Sequence, residues 1–136
     1  MRYLLETYGC QMNKAESAAL ETIFRERGWA STTEPAEADL VLVNTCSVRA
    51  TAESRAWGRI DHFAALKRDR AAARRSPAPA GADAKAGPLA LVVTGCMAER
   101  LKRAIKERQP GVDYVVGTFQ KQAFGLVLDA VEQGRA

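Results

Sequence analysis

Apolar and polar positions fall into blocks along this chain, and the period within the blocks switches between two and about 3.6. The stretch 2–8 is rich in Tyr, Leu and Thr and stops at Gly9-Cys10, which predicts a first strand. Ala15, Ala19, Leu20, Ile23 and Phe24 then repeat at helical spacing. Asn13 is expected to cap this helix, with Glu16 three residues on, and Gly28 to stop it. A short strand is expected over 29–32, followed by the acidic turn Glu34-Pro35-Ala36-Glu37. Leu40-Val41-Leu42-Val43 is apolar without a break and runs into Asn44-Thr45-Cys46, as a strand covered on both faces requires. The next helix turns Ala52, Ala56, Ile60, Phe63 and Ala64 inward. A second unbroken run, 89–93, leads into Thr94-Gly95-Cys96. A basic amphipathic helix follows, with Leu101, Ala104 and Ile105 inward, closed by Pro110-Gly111. Tyr114-Val115-Val116 is the last strand, and a final helix keeps Phe124, Val127, Leu128 and Val131 on one face as far as Gly134.

Strands alternating with helices at this rhythm predict an α/β fold. The expected form is a doubly wound, mostly parallel five-stranded sheet in the flavodoxin-like order 2-1-3-4-5, with helices on both faces. In that order the first, third and fourth strands are neighbours, about 4.8 Å apart. Each is followed by a cysteine: Cys10, Cys46 and Cys96. Open parallel sheets bind ligands at the carboxyl ends of their strands, near the point where the order reverses. Cysteines separated by 36 and 50 residues are therefore expected to converge on one rim.

Composition narrows what they do there. At 136 residues, 47% hydrophobic and 26% charged, the chain has the make-up of one globular domain rather than a disordered segment. No apolar run is long enough to span a membrane. Glu6 interrupts the N-terminus too early for a secretory signal, so the cytosol is the expected location. A monomer is the expected state. An odd cysteine count without Cys-x-x-Cys argues against a disulfide framework, a thioredoxin-like motif and a zinc knuckle. Three convergent thiolates select zinc, copper(I) or an iron–sulfur cluster. The single histidine, His62, is expected well inside the second helix and away from the rim, leaving a closed four-ligand zinc site one ligand short. A cubane cluster held by three cysteines keeps one iron open. Thr7, Asn13, Asn44, Thr45 and Thr94, with Gly9 and Gly95, are small groups that would let amides point at sulfur.

Three motifs carry a family resemblance. Tyr8-Gly9-Cys10-Gln11-Met12-Asn13, Asn44-Thr45-Cys46-Ser47-Val48-Arg49 and Gly95-Cys96-Met97-Ala98-Glu99-Arg100 resemble those of the radical-SAM methylthiotransferases, most closely the MiaB type. The resemblance covers essentially the whole chain. It implies that Cys10, Cys46 and Cys96 ligate an auxiliary [4Fe–4S] cluster whose fourth iron carries the sulfur or methylsulfide destined for C2 of an isopentenyl-modified adenosine in tRNA. It also implies S-adenosylmethionine as methyl donor and radical source, with a second [4Fe–4S] on a Cys-x-x-x-Cys-x-x-Cys motif that this sequence lacks. On this reading residues 1–136 are an N-terminal methylthiotransferase domain, whose partners are tRNA and the enzyme's own radical-SAM and TRAM domains, and which alone does not turn over. Ribosomal-protein and threonylcarbamoyl-adenosine enzymes are the sibling alternatives. Gln11-Met12-Asn13 with Ser47-Val48-Arg49 fits the MiaB type better.

Between the second and third motifs the chain is longer than the resemblance leads one to expect, and a mobile loop is expected at 74–88 from its prolines and glycines. Residues 67–75 hold five basic groups against one acidic, which reads as a solvated helix end, with tRNA phosphates as the alternative contact. A metal-free flavodoxin-like or receiver-like module is the competing function of another class. It is disfavoured because Gly9-Cys10-Gln11-Met12-Asn13 is poor in hydroxyls, and because cysteines stand where a receiver needs acids.

Overall fold

The computed structural model describes residues 2–8, 11–45, 50–75, 89–117 and 121–134. Five strands, β1 (Arg2–Thr7), β2 (Ala30–Ser31), β3 (Leu40–Thr45), β4 (Ala90–Gly95) and β5 (Tyr114–Val116), form one sheet in the order β2-β1-β3-β4-β5. Every pairing is parallel, as expected from the sequence. The helices are α1 (Gln11–Glu26), α2 (Ala50–Arg75), α3 (Cys96–Leu101), α4 (Arg103–Arg108) and α5 (Lys121–Gly134), with a 3-10 turn at Pro35–Glu37.

The period-two alternation of the strands divides the core into two layers. Val41 and Val43 of β3, with Leu91 and Val93 of β4, face α2, α3 and α4 through Ala56, Trp57, Ile60, Phe63, Met97 and Ile105. Leu40 and Leu42, with Val92, face α1 and α5 through Leu20, Phe24, Phe124 and Leu128. All six residues of β3 are buried, which is why its sequence carries no polar face. Phe24 anchors the second layer: its ring stacks on Tyr3 at 3.9 Å and meets Phe124 edge-on at 5.3 Å.

Gly28, with φ +81°, ends α1 as the sequence predicts. The Gly28 N–H donates to the Arg25 carbonyl and the Trp29 N–H to the Phe24 carbonyl, the paired bonds of a Schellman ending. Three expectations need correction. α1 begins at Gln11, two residues before the predicted cap, so Asn13 lies in the first turn. The basic helix after β4 is two helices, broken at Lys102, where φ is +48°. The break resets the helical phase, so Ile105 is buried while Ala104 is exposed. Lastly, residues 74 and 75 complete α2, and the remainder of the expected loop, 76–88, lies outside the described residues.

Candidate functional site

The strand order reverses between β1 and β3, and the carboxyl ends of β1, β3 and β4 lie side by side. Thr7 pairs in register with Asn44, Asn44 with Thr94, and Thr45 with Gly95. Of the three candidate ligands, Cys96 is described: it is half-buried and opens α3 directly from the end of β4. Cys10 and Cys46 lie outside the described residues, as does Gly9. In sequence Cys10 comes three positions after the end of β1, and Cys46 directly after the end of β3. Among the described residues no group of three or more His, Cys, Asp and Glu side chains is placed to hold a metal ion. His62 is exposed on α2, beside the Phe63 ring.

Beneath this rim the polar side chains are locked to one another. The Ser17 Oγ, brought in by α1, is 2.7 Å from Thr7 Oγ1 and accepts from Asn44 Nδ2 at 2.8 Å. The Thr45 hydroxyl donates to the Thr94 carbonyl at 2.6 Å, crossing from β3 to β4. The Tyr8 N–H donates to the Asn44 carbonyl at 2.8 Å, which continues the β1–β3 ladder by one residue. Ser17, Asn44, Thr45 and Thr94 are all buried. Buried polar groups are costly unless paired, and pairing of this density fixes three strand ends and a helix in one arrangement.

Gly95 is required by close approach and by conformation. Its φ is +98°, and a Cβ there would sit 2.2 Å from the Thr45 carbonyl oxygen and 2.6 Å from Asn44 Oδ1. Only glycine lets β4 turn at once into α3 while touching β3.

A charged cluster buttresses the β1 end. Arg59 of α2 grips Glu6 in a two-point contact, Nε to Oε1 at 2.9 Å and Nη2 to Oε2 at 2.8 Å. The Tyr8 hydroxyl donates to the same carboxylate. Burial alone would raise the Glu6 carboxyl, but the Arg59 guanidinium and the Tyr8 hydroxyl together hold it below its ordinary value. Burial, then the Glu6 carboxylate, push the Tyr8 phenol up to about 12.

Residues 2–117 match the family described as Uncharacterized protein family UPF0004. The chain belongs to that family. The match starts with β1 and ends one residue past β5. Among curated relatives, the UPF0004 domain is 40% identical over 132 residues to a tRNA-2-methylthio-N(6)-dimethylallyladenosine synthase of Treponema denticola, covering 97% of this chain and 26% of that protein. A synthase of the same name from Geobacter metallireducens is 36% identical over 130 residues, 96% of this chain and 26% of its own length. A mitochondrial tRNA methylthiotransferase of Homo sapiens is 36% identical over 131 residues, 96% of this chain and 20% of that protein. The chain thus spans about a quarter of the length of the curated relatives it matches. The resemblance read from the three motifs holds at the level of the family. Among the described residues no helix is long and apolar enough to cross a membrane.

Three features of the UPF0004 domain escape the sequence reading. Ser17 is one, although its signal exists: it lies three and seven positions before Leu20 and Phe24, on the buried face of α1, where a hydroxyl needs a partner. The Glu6–Arg59 grip is another, and no local spacing reveals a pair 53 residues apart. The third concerns the basic stretch 67–75. Lys67 bonds Asp113 at 2.5 Å and the Gly111 carbonyl at 3.1 Å, so one of its five cations ties α2 to the start of β5.

Proposed function

We propose that this UPF0004 domain is the N-terminal, auxiliary iron–sulfur part of a tRNA methylthiotransferase, and that the whole enzyme adds a methylthio group to C2 of an N6-isopentenyl-type adenosine. The observation that carries the reading is the register Thr7–Asn44–Thr94 at one sheet edge, with a cysteine close behind each of the three strands in sequence. The relatives, named as tRNA methylthiotransferases, supply the substrate class. The donor set fits the group: thiolates select soft metals, and three of them suit a cluster that keeps one iron open. Cys10, Cys46 and Cys96 would hold it, and bound there a [4Fe–4S] cluster would supply the metal position from which sulfur is delivered.

The chain's own residues give that site its rigidity. Gly95 brings the end of β4 against Thr45, and Ser17 holds Thr7 and Asn44 together. Glu6 and Arg59 fix Tyr8, the last described residue before Cys10. S-adenosylmethionine, the second [4Fe–4S] and the TRAM contacts to tRNA belong, in this proposal, to the remainder of the enzyme.

Anaerobic reconstitution with iron and sulfide tests it. The expected product is a brown protein with about four irons per chain, lost on changing any one of Cys10, Cys46 or Cys96 to Ala. Uptake of zinc alone, or full iron retention by Cys96→Ala, refutes the cluster assignment. For the substrate, mass spectrometry of tRNA from cells lacking the full-length gene is expected to show the isopentenyl-type adenosine without its methylthio group.

A further inference from the structure

Six cations among the described residues are engaged with the domain's own groups. Arg2 pairs with Glu37, Arg27 with Asp129 and Glu132, Arg59 with Glu6, Lys67 with Asp113, and Arg100 with Glu53. Arg108 lies over the Trp57 ring, its guanidinium carbon 3.9 Å from the centroid. Lys102, Arg103 and Lys106 are different. All three are exposed, none has an ion pair among the described residues, and all line one groove of about 510 Å³.

The groove runs between the α3–α4 break and β5, the last strand of the sheet, whose outer edge pairs with no described strand. Ala98 and Gly117 line it as well, the first lying two residues past Cys96 and the second just past the carboxyl end of β5. The groove therefore reaches the candidate rim. Of the two acids lining it, Asp113 is engaged by Lys67 and by the Leu91 N–H, which leaves Glu99 alone against three cations. The positive φ of Lys102 starts α4 in a new phase, with Arg103 and Lys106 three apart on one face. Within α4, Arg103 and Lys106 are about 4.5 Å apart along the axis at 1.5 Å per residue.

We propose that this groove binds the sugar–phosphate backbone of RNA, with Lys102, Arg103 and Lys106 on phosphates, and so leads the strand toward the cysteine rim. The inference rests on the tRNA reading above, and it puts the RNA contact at the α3–α4 break rather than at the stretch 67–75, where RNA was only the alternative to a solvated helix end. A compact anion would use one convergent pocket; cations strung along an open groove beside a sheet edge suit a polyanion.

The test is anisotropy of a labelled anticodon stem-loop RNA with the 136-residue chain, without a cluster, between 50 and 200 mM salt. The variants are the triple K102Q/R103Q/K106Q and a charge-matched control, R25Q/R55Q/R68Q. Three phosphate contacts predict a log–log salt slope about 2–3 units shallower in the first variant, and a loss of roughly 20–40-fold in affinity at the low-salt end relative to the high-salt end. The control is expected to stay within about two-fold of wild type at each salt concentration. Equal behaviour of the two variants, or no change in the first, overturns the proposal. Groove-dependent binding of polyglutamate with no binding of RNA overturns it too, since the surface would then serve an acidic protein segment. All substituted residues are exposed, and thermal unfolding of each variant checks that the fold is kept. Failure of iron uptake by wild type would sink the cluster reading and leave this measurement intact.

Discussion

Replacing Gly95 by Ala should damage this domain more than any other single added methyl group at a described glycine of positive φ. The magnitude comes from two separate costs. With φ +98° and ψ −169°, position 95 sits in a region that is essentially glycine-only, and an L residue held there costs about 1–3 kcal/mol. The new Cβ would also stand 2.2 Å from the Thr45 carbonyl oxygen and 2.7 Å from the Thr45 nitrogen. Those are backbone atoms of a paired strand, so relief requires β3 and β4 to separate where Thr45 and Gly95 are in register. Overpacking of that kind adds about 1–3 kcal/mol. The sum, about 2–6 kcal/mol, is a large share of a typical domain stability of ~5–15 kcal/mol. Gly28→Ala is the natural comparison: φ there is +81°, but nothing lies within 4 Å of the added carbon. It should cost only the conformational part, about 1–2 kcal/mol. Equilibrium urea unfolding of both variants with a common m-value measures the difference. A Gly95→Ala loss no greater than that of Gly28→Ala would refute the close-approach argument, and with it the claim that β3 and β4 are fixed together at the rim.

Glu6→Gln should flatten the acid limb of the stability curve. Because the folded Glu6 carboxyl is held below its ordinary value, its stabilisation is present above the unfolded pKa near 4.5 and is lost as pH falls through the folded one. With Arg59 38% exposed, the contribution is about 1 kcal/mol or less, read as the wild-type-minus-variant difference in urea stability between pH 7 and pH 3. Tyr8 should ionise near pH 12 by absorbance titration, and its stabilising hydrogen bond, present below the unfolded value of 10, should fade as pH rises through 12. Ser17→Ala withdraws one partner each from Thr7 and Asn44 inside a buried network, for an expected cost of about 1–3 kcal/mol by denaturant titration; a change below the error of that measurement would mean the network does not hold the strand ends together.

The sheet was legible because its apolar runs answer directly to burial. Leu40–Val43 and Leu89–Val93 have no polar face in sequence, and all of Leu40–Thr45 is buried between two helical layers. Three strands meeting at one edge follow from order and direction alone, which is why the relation of Thr7, Asn44 and Thr94 could be anticipated from spacing. What sequence period cannot carry is a change of phase. The α3–α4 break at Lys102 rests on one residue of positive φ, and lysine gives no local signal for it. The same holds for Gly28, expected to stop a helix, and Gly95, expected as a small group at the rim: only the packing distances show that the second is pressed against a neighbouring strand.

These particulars bear on how the site comes into being. In a small zinc finger the metal supplies the folding energy, and the apo chain is unfolded. Here Phe24, Phe63, Phe124 and Leu40 are among many side chains wholly buried in a two-layer core of the chain's own residues. The rim is held by Thr7–Ser17–Asn44, by Thr45 on the Thr94 carbonyl, and by Arg59 on Glu6. None of those bonds needs a cofactor to form, and every buried side-chain N or O atom among the described residues has a partner. A rim whose supporting bonds are complete beforehand would lose little further freedom on taking up the proposed cluster, which is the condition for tight binding without coupled folding. The apo chain should therefore unfold cooperatively in urea with native far-UV and near-UV circular dichroism. Loading with iron and sulfide should raise its midpoint while leaving the m-value unchanged, since the surface exposed on unfolding is the same. An apo protein without a cooperative transition, or a marked rise in m on loading, would mean that the rim is assembled by its ligand and that the hydrogen bonds described beneath it are not what holds it.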